Sequence, residues 1–324
     1  MNALQMKQMI LGGGLDEAMT PIYGEEALAM QKERYLSALD EFATLYGEGR
    51  TVRLFSVAGR SELSGNHTDH NHGCVVAASI DLDIIAVASP REDGVIRLKS
   101  EGFPEDVVTI ADYTQPDPAR FGSSASIIAG VCAGFTDRGY LVGGFDAYTT
   151  SNVLKGSGLS SSAAFEDMVG NMLNHFYNDG KIDNVEIAKI SQYAENRFFG
   201  KPCGLMDQVA CAVGGIVAID FRDPKAPVID RVALDMSAMG YNLCIVNTGG
   251  NHADLTDDYA SVPAEMKAVA AAMGKEVLRD EEPSKGGVAS GIARREARTM
   301  QKIPRDLLDA FVTWRAEKVV RDDV

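Results

Sequence analysis

Asn152-Val-Leu-Lys-Gly-Ser-Gly-Leu-Ser-Ser-Ser-Ala-Ala-Phe-Glu166 places two glycines and a serine cluster directly ahead of a segment with helical spacing. That order suits an anion. Gly156 and Gly158 let backbone N–H groups approach a ligand closely, and the start of a helix offers unpaired N–H groups and the positive end of a dipole. Phe165, Met168, Val169, Met172, Leu173 and Phe176 recur at helical spacing, and Gly180 closes the run. The stretch is not a Walker P-loop, because Lys155 precedes both glycines instead of following them. A capped helix entry, with Ser160 or Ser161 as N-cap, is the plainer reading of the same residues.

Outward from this loop, the chain has the composition of a globular protein. Its 324 residues are 45% hydrophobic and 24% charged, enough for one large or two ordinary domains. The formal charge of −15 argues against a nucleic-acid surface, which needs clustered Lys and Arg. Five scattered cysteines without Cys-x-x-Cys spacing fit free thiols in a reducing compartment. The N-terminus lacks the pattern of a secretory signal, and no apolar run reaches the roughly 18 residues of a membrane span. A cytoplasmic protein is expected, its oligomeric state left open with a monomer among the options.

Residues 1–48 read as helical and acidic, a surface or lid element with little to bind anything. From Val52 to Ala58 and again from Val75 to Ala88 the composition turns to strand. Between them lies Gly59-Arg-Ser-Glu-Leu-Ser-Gly-Asn-His-Thr-Asp-His-Asn-His-Gly73, rich in donors and acceptors for a polyhydroxylated ligand, with Arg60 available for charge on a reacting oxygen. A polar turn with satisfied histidines is the plain alternative. A zinc site built on His67, His70, His72 and Cys74 is a weaker rival, since no second ligand cluster completes it. Residues 92–150 carry no chemistry of their own; Ser123–Phe135 reads as a buried helix of small residues and Phe145–Thr150 as a strand.

Beyond the central helix, Asp183-Asn-Val-Glu186 has the form of a helix start, and Ile187, Ile190, Ala194 and Phe198 mark its apolar face up to Gly200 and Pro202. Glu195 then faces the negative end of that helix dipole, which is unfavourable without a cation. It is either a solvated glutamate or a magnesium ligand. Gly200-Lys-Pro-Cys-Gly-Leu-Met-Asp-Gln208 presents Asp207 at the next helix, either as a cap or as a carboxylate that orients a hydroxyl and takes its proton.

In this order and spacing, Gly59-Arg60 with His67-Thr-Asp69, Leu154 to Ala164, and Ala194-Glu-Asn with Gly204-Leu-Met-Asp-Gln208 resemble the galactokinase branch of the GHMP small-molecule kinases. Asn247-Thr-Gly-Gly-Asn with Asp258-Tyr259 resembles the segment that brings a sugar-contacting tyrosine. The resemblance runs over about residues 50 to 279. It implies an α+β fold with an N-terminal mixed-sheet domain (1–215, with a helical extension) and a C-terminal α/β sandwich (216–324) that is incomplete and atypical from about 280. It further implies ATP-dependent phosphorylation of the anomeric hydroxyl of galactose or a related sugar. Asp207 and Arg60 would be catalytic. Asn66, His67, Asp69, Gly204 and Tyr259 would hold the sugar. Lys155, Gly156, Ser157, Gly158, Leu159, Ser160, Ser161 and Ser162 would hold ATP, with Ser162 and Glu195 on Mg2+.

Two departures qualify the resemblance. Asn66 stands where galactokinases usually carry a glutamate, which weakens the assignment to galactose itself. The family's glycine-rich third motif is not found, and residues 281–324 hold nine basic and eight acidic residues, unlike the acidic chain before them. A kinase for another small alcohol and a sugar- and nucleotide-binding homologue without turnover are therefore the competing classes. A panel of sugars with ATP and magnesium separates them.

Overall fold

The computed structural model describes residues 1–65, 67–112, 114–153, 156, 158–246 and 256–280, with the backbone alone at 112, 256–260, 262 and 280. It divides the chain into two units: Met1–Arg60 with Ser79–Val213, and Ser61–Ala78 with Gly214–Val324. The fold is α+β with a mixed sheet.

The first unit is organised by strand β2 (Cys74–Arg91), whose run Ile84-Ile85-Ala86-Val87-Ala88 is buried on both faces. Side chains alternate along a strand, so Ile84, Ala86 and Ala88 enter one core and Ile85 and Val87 another. Strand β5 (Gly144–Ser151) runs antiparallel to β2, from Ile84 opposite Ser151 to Arg91 opposite Gly144. Strand β3 (Val95–Ser100) lies parallel to β5, and β4 (Glu105–Thr109) antiparallel to β3; β1 (Arg53–Ser64) pairs with β2.

On one face pack α3 (Ser124–Asp137), α4 (Ser161–Tyr177) and α5 (Asn184–Ala194). Met168, Val169, Met172 and Leu173 of α4 are fully buried, while Phe165 and Phe176 pack at the edge of the same core. Asp183 caps α5 by accepting from the Val185 N–H, as its sequence form indicated.

The other face is covered by α1 (Ala3–Leu11) and α2 (Asp16–Tyr46), the latter kinked at Gly24. This corrects the expectation of a surface or lid element. Tyr35, Ala38, Leu39 and Phe42 form an apolar stripe at helical spacing that closes over Ile85, Val87 and Tyr148. A buried polar network locks the contact: Arg34 donates to the Asp83 carboxylate and to the carbonyls of Asp83 and Thr150, while Tyr23 and Ser56 donate to the other Asp83 oxygen. Burial, with the negative charge of Asp83 nearby, pushes the Tyr23 hydroxyl far above its ordinary range.

In the second unit, Cys74–Ala78 pair antiparallel with β6 (Ile216–Asp220), and β6 with β7 (Val228–Arg231). Arg279 reaches the Asp220 carboxylate and the His72 carbonyl, and helix α7 (Thr256–Ala272) lies in the same unit. Among the described residues no helix is long and apolar enough to cross a membrane.

Candidate active site

The glycine loop is fastened to β1 at Arg60. The Arg60 N–H donates to the Leu159 carbonyl at 3.1 Å, and its guanidinium Nη1 donates to the Gly158 carbonyl at 2.7 Å. Gly59 makes this possible, since a Cβ there would stand 2.8 Å from the Leu159 oxygen. Gly158 itself holds φ 77°, a region open to glycine at no steric cost. Helix α4 begins at Ser161, and Ser160, in the N-cap position, makes no side-chain cap.

Asp207 sits in the first turn of α6 (Met206–Val213), inside the helix instead of ahead of it. Its Oδ1 accepts from Arg60 Nε at 2.8 Å and lies 2.7 Å from Arg60 Nη2. Its Oδ2 accepts from the Ser160 hydroxyl at 2.7 Å. Arg60 is almost fully buried, whereas the Asp207 side chain keeps about a third of its surface, 32%, open to approach. A fixed cation, a partly open carboxylate and a glycine loop therefore meet at one place within the first unit.

A second group adjoins them. The Ser162 hydroxyl donates to Glu195 Oε1 at 3.3 Å, and Lys201 Nζ reaches the same oxygen at 3.3 Å. Gln208 Nε2 donates to Glu195 Oε2 at 2.9 Å and to Glu166 Oε2 at 3.1 Å, spanning two buried carboxylates. Burial, with the charge of Glu195 beside it, raises the Glu166 carboxyl well above its ordinary range. For Lys201, burial works against the charge, but Glu195 outweighs it and the ammonium is held above its ordinary value. Glu195 opens a π-helical turn, Glu195–Phe199, from which Asn196 Oδ1 accepts from the Cys203 N–H at 2.6 Å and pins the segment carrying Gly204.

Of the sequence-based site residues, Arg60, Gly158, Leu159, Ser160, Ser162, Glu195 and Asp207 are thus brought together. Gly156 and Ser161 lie in the same loop and helix start. His67 and Asp69 belong to the second unit. There His67 adopts a left-handed conformation at φ 56° and donates its N–H to Glu62 Oε1 at 3.0 Å, and Asp69 is buried in a short 3-10 turn, Thr68–Asn71. Asn66, Lys155, Ser157, the Tyr259 side chain and residues 281–324 lie outside the described residues. Among those described, no three His, Cys, Asp or Glu side chains converge on a metal position, so His67, His70, His72 and Cys74 do not form the zinc cluster considered above.

Sequence reading missed Glu166, Gln208 and Lys201. The signal for Glu166 was present: it follows Ser162 by four residues, hence on the same helix face, and interrupts a buried stripe.

Residues 126–215 match the model of the GHMP kinases N terminal domain, and residues 40–90 match the galactokinase galactose-binding signature. Over these residues the chain is similar to the galactokinase branch of the GHMP kinases. It is 39% identical over 175 residues to a galactokinase of Clostridium tetani, covering 54% of this chain and 44% of that one. To a galactokinase of Streptomyces coelicolor it is 32% identical over 246 residues, covering 74% and 62%. The crystal structure of Lactococcus lactis galactokinase complexed with galactose superposes with a TM-score of 0.65 at 28% identity, covering 74% of this chain and 61% of that chain. The chain thus spans between 44% and 62% of the length of these relatives.

Proposed function

We propose that the protein is an ATP-dependent sugar kinase that phosphorylates the anomeric hydroxyl of galactose or a closely related sugar. The observation that carries this reading is the Arg60–Asp207–Ser160 constellation set against the Gly156–Ser162 loop. Phosphoryl transfer needs the nucleophile in line and the developing charge neutralised, with little covalent chemistry asked of the protein. Asp207 accepts the hydrogen bond of the attacking hydroxyl and takes its proton. Arg60 orients that carboxylate and places positive charge beside the reacting oxygens.

The loop N–H groups and the start of α4 receive the phosphates. The oxygens of Ser162 and Glu195 are hard donors that lie 3.3 Å apart, with Glu195 buried, a pair whose chemistry fits magnesium. When bound, magnesium neutralises phosphate charge. Gln208 holds the far oxygen of Glu195, and Lys201 lies on the near one, a place that the metal would share or take over when bound. His67, Asp69 and Gly204 are assigned to the sugar, together with Asn66 and Tyr259. The family match and the galactose named in the Lactococcus lactis structure support this assignment.

A panel of sugars with ATP and magnesium, read by phosphate transfer, tests the reading. Galactose or an epimer should be turned over, and Asp207→Asn should lower kcat by about 10²–10⁴-fold while the protein still folds and binds ATP. Unchanged turnover in Asp207→Asn would remove Asp207 from the mechanism, and transfer to a non-sugar alcohol alone would replace the substrate class.

A further inference from the structure

Glu195 is a buried carboxylate, its side chain 3% exposed, and a charge in that position is costly unless a cation meets it. Among the described residues that cation is Lys201, whose Nζ stands 3.3 Å from Oε1. The lysine reaches it from outside, with 43% of its own side chain exposed. Oε1 also accepts from the Ser162 hydroxyl at 3.3 Å, so the ammonium sits on the oxygen that the kinase reading gives to magnesium. Magnesium takes oxygen ligands at about 2.0–2.1 Å, and an ammonium on the same oxygen would stand against a dication.

The surroundings let the lysine give way without moving the site. Its backbone is held, because the Lys201 N–H donates to the Glu195 carbonyl at 3.2 Å and Gly200 before it turns the chain at φ 82°. Its side chain is long, flexible and partly in solvent, and an ammonium hydrates well. Gln208 meanwhile keeps Glu195 Oε2 at 2.9 Å, so the carboxylate holds its place beside Ser162. We infer that Lys201 is a displaceable counter-ion of the magnesium site: it neutralises Glu195 until the metal arrives, and the metal sends its ammonium into solvent. The inference rests on the kinase reading above and adds to it a residue that sets how tightly the metal is held.

Lys201→Met in the full chain tests it, with Mn2+ as the probe. Bound metal is read from loss of the free-ion electron paramagnetic resonance signal, and stability from thermal unfolding. Methionine keeps an apolar stem and removes the charge. Without metal the variant should melt below wild type, because Glu195 is left buried without its cation. It should bind Mn2+ about tenfold tighter, because nothing has to be displaced. At saturating Mn2+ the two melting temperatures should converge. Glu195→Gln should weaken Mn2+ binding, and adding Lys201→Met to it should change neither reading, since the pair is already broken. Unchanged or weaker Mn2+ binding in Lys201→Met, with Glu195→Gln still weakening it, overturns the inference and leaves the metal on Glu195. No Mn2+ binding, or binding that Glu195→Gln does not weaken, takes the metal off Glu195; the magnesium assignment in the kinase reading then fails, and the inference fails with it.

Discussion

Asp167 lies at zero exposure in the middle of α4, and neither carboxylate oxygen has a hydrogen-bond partner among the described residues. Burial pushes its pKa well above the ordinary value, with the Ser191 hydroxyl a weak opposing influence. The sign of the consequence is fixed. Below about pH 4 the group is protonated both folded and unfolded; above it the unfolded chain loses the proton first, so stability falls as pH rises toward the folded pKa. Asp167→Asn removes this term. Urea midpoints between pH 5 and 8 should show the variant gaining on wild type as pH rises, with the difference narrowing toward about pH 4. A difference independent of pH would mean that the buried carboxyl does not titrate as its surroundings require.

At the scale of elements, the site depends on how closely α3 approaches α5 and the π-helical turn after it. Gly130 of α3 faces Ala194 and Phe198, and a Cβ there would stand 2.8 Å from both of their Cβ atoms. Helix propensity alone favours alanine over glycine by about 1 kcal/mol. The contact wins, because Ala194 is backbone-fixed and cannot retreat without moving Glu195. Gly130→Ala should therefore destabilise by about 1–3 kcal/mol in chemical denaturation. A stabilised variant would show that the helices are free to part. This is also where the sequence was least legible. The helices α3, α4 and α5 could be read from small-residue runs, apolar spacing and an Asp cap, and the Gly59–Asp69, glycine-loop and Asp207 motifs named the chemistry. The covering role of α2 was hidden because its polar residues outnumber the stripe of Tyr35, Leu39 and Phe42. The Glu166–Gln208–Glu195 chain was hidden because it joins residues from three elements that only packing brings together.

For the molecule as a whole, charge is the dominant long-range term. Residues 1–280 hold 22 basic and 38 acidic side chains, and the full chain carries a formal −15. Against this excess stand ion pairs with a buried partner: Arg34 on Asp83, and Arg50 with Arg91 on Asp146, whose carboxylate is 1% exposed. Salt acts differently on the two. Pairs with a buried member are screened little, whereas repulsion between exposed carboxylates many ångströms apart is screened strongly, as the Debye length shrinks from about 30 Å at 0.01 M to about 8 Å at 0.15 M. Self-repulsion should therefore be the part that salt removes. The melting temperature should rise between about 0.01 M and 0.15 M sodium chloride, measured without divalent ions so that no binding to Glu195 contributes. A falling melting temperature would mean that exposed ion pairs such as Lys7–Asp40 and Arg138–Glu186 hold the fold against its net charge. Such pairs contribute about 0–1 kcal/mol each, too little to offset fifteen unbalanced charges, so the rise is the expected result.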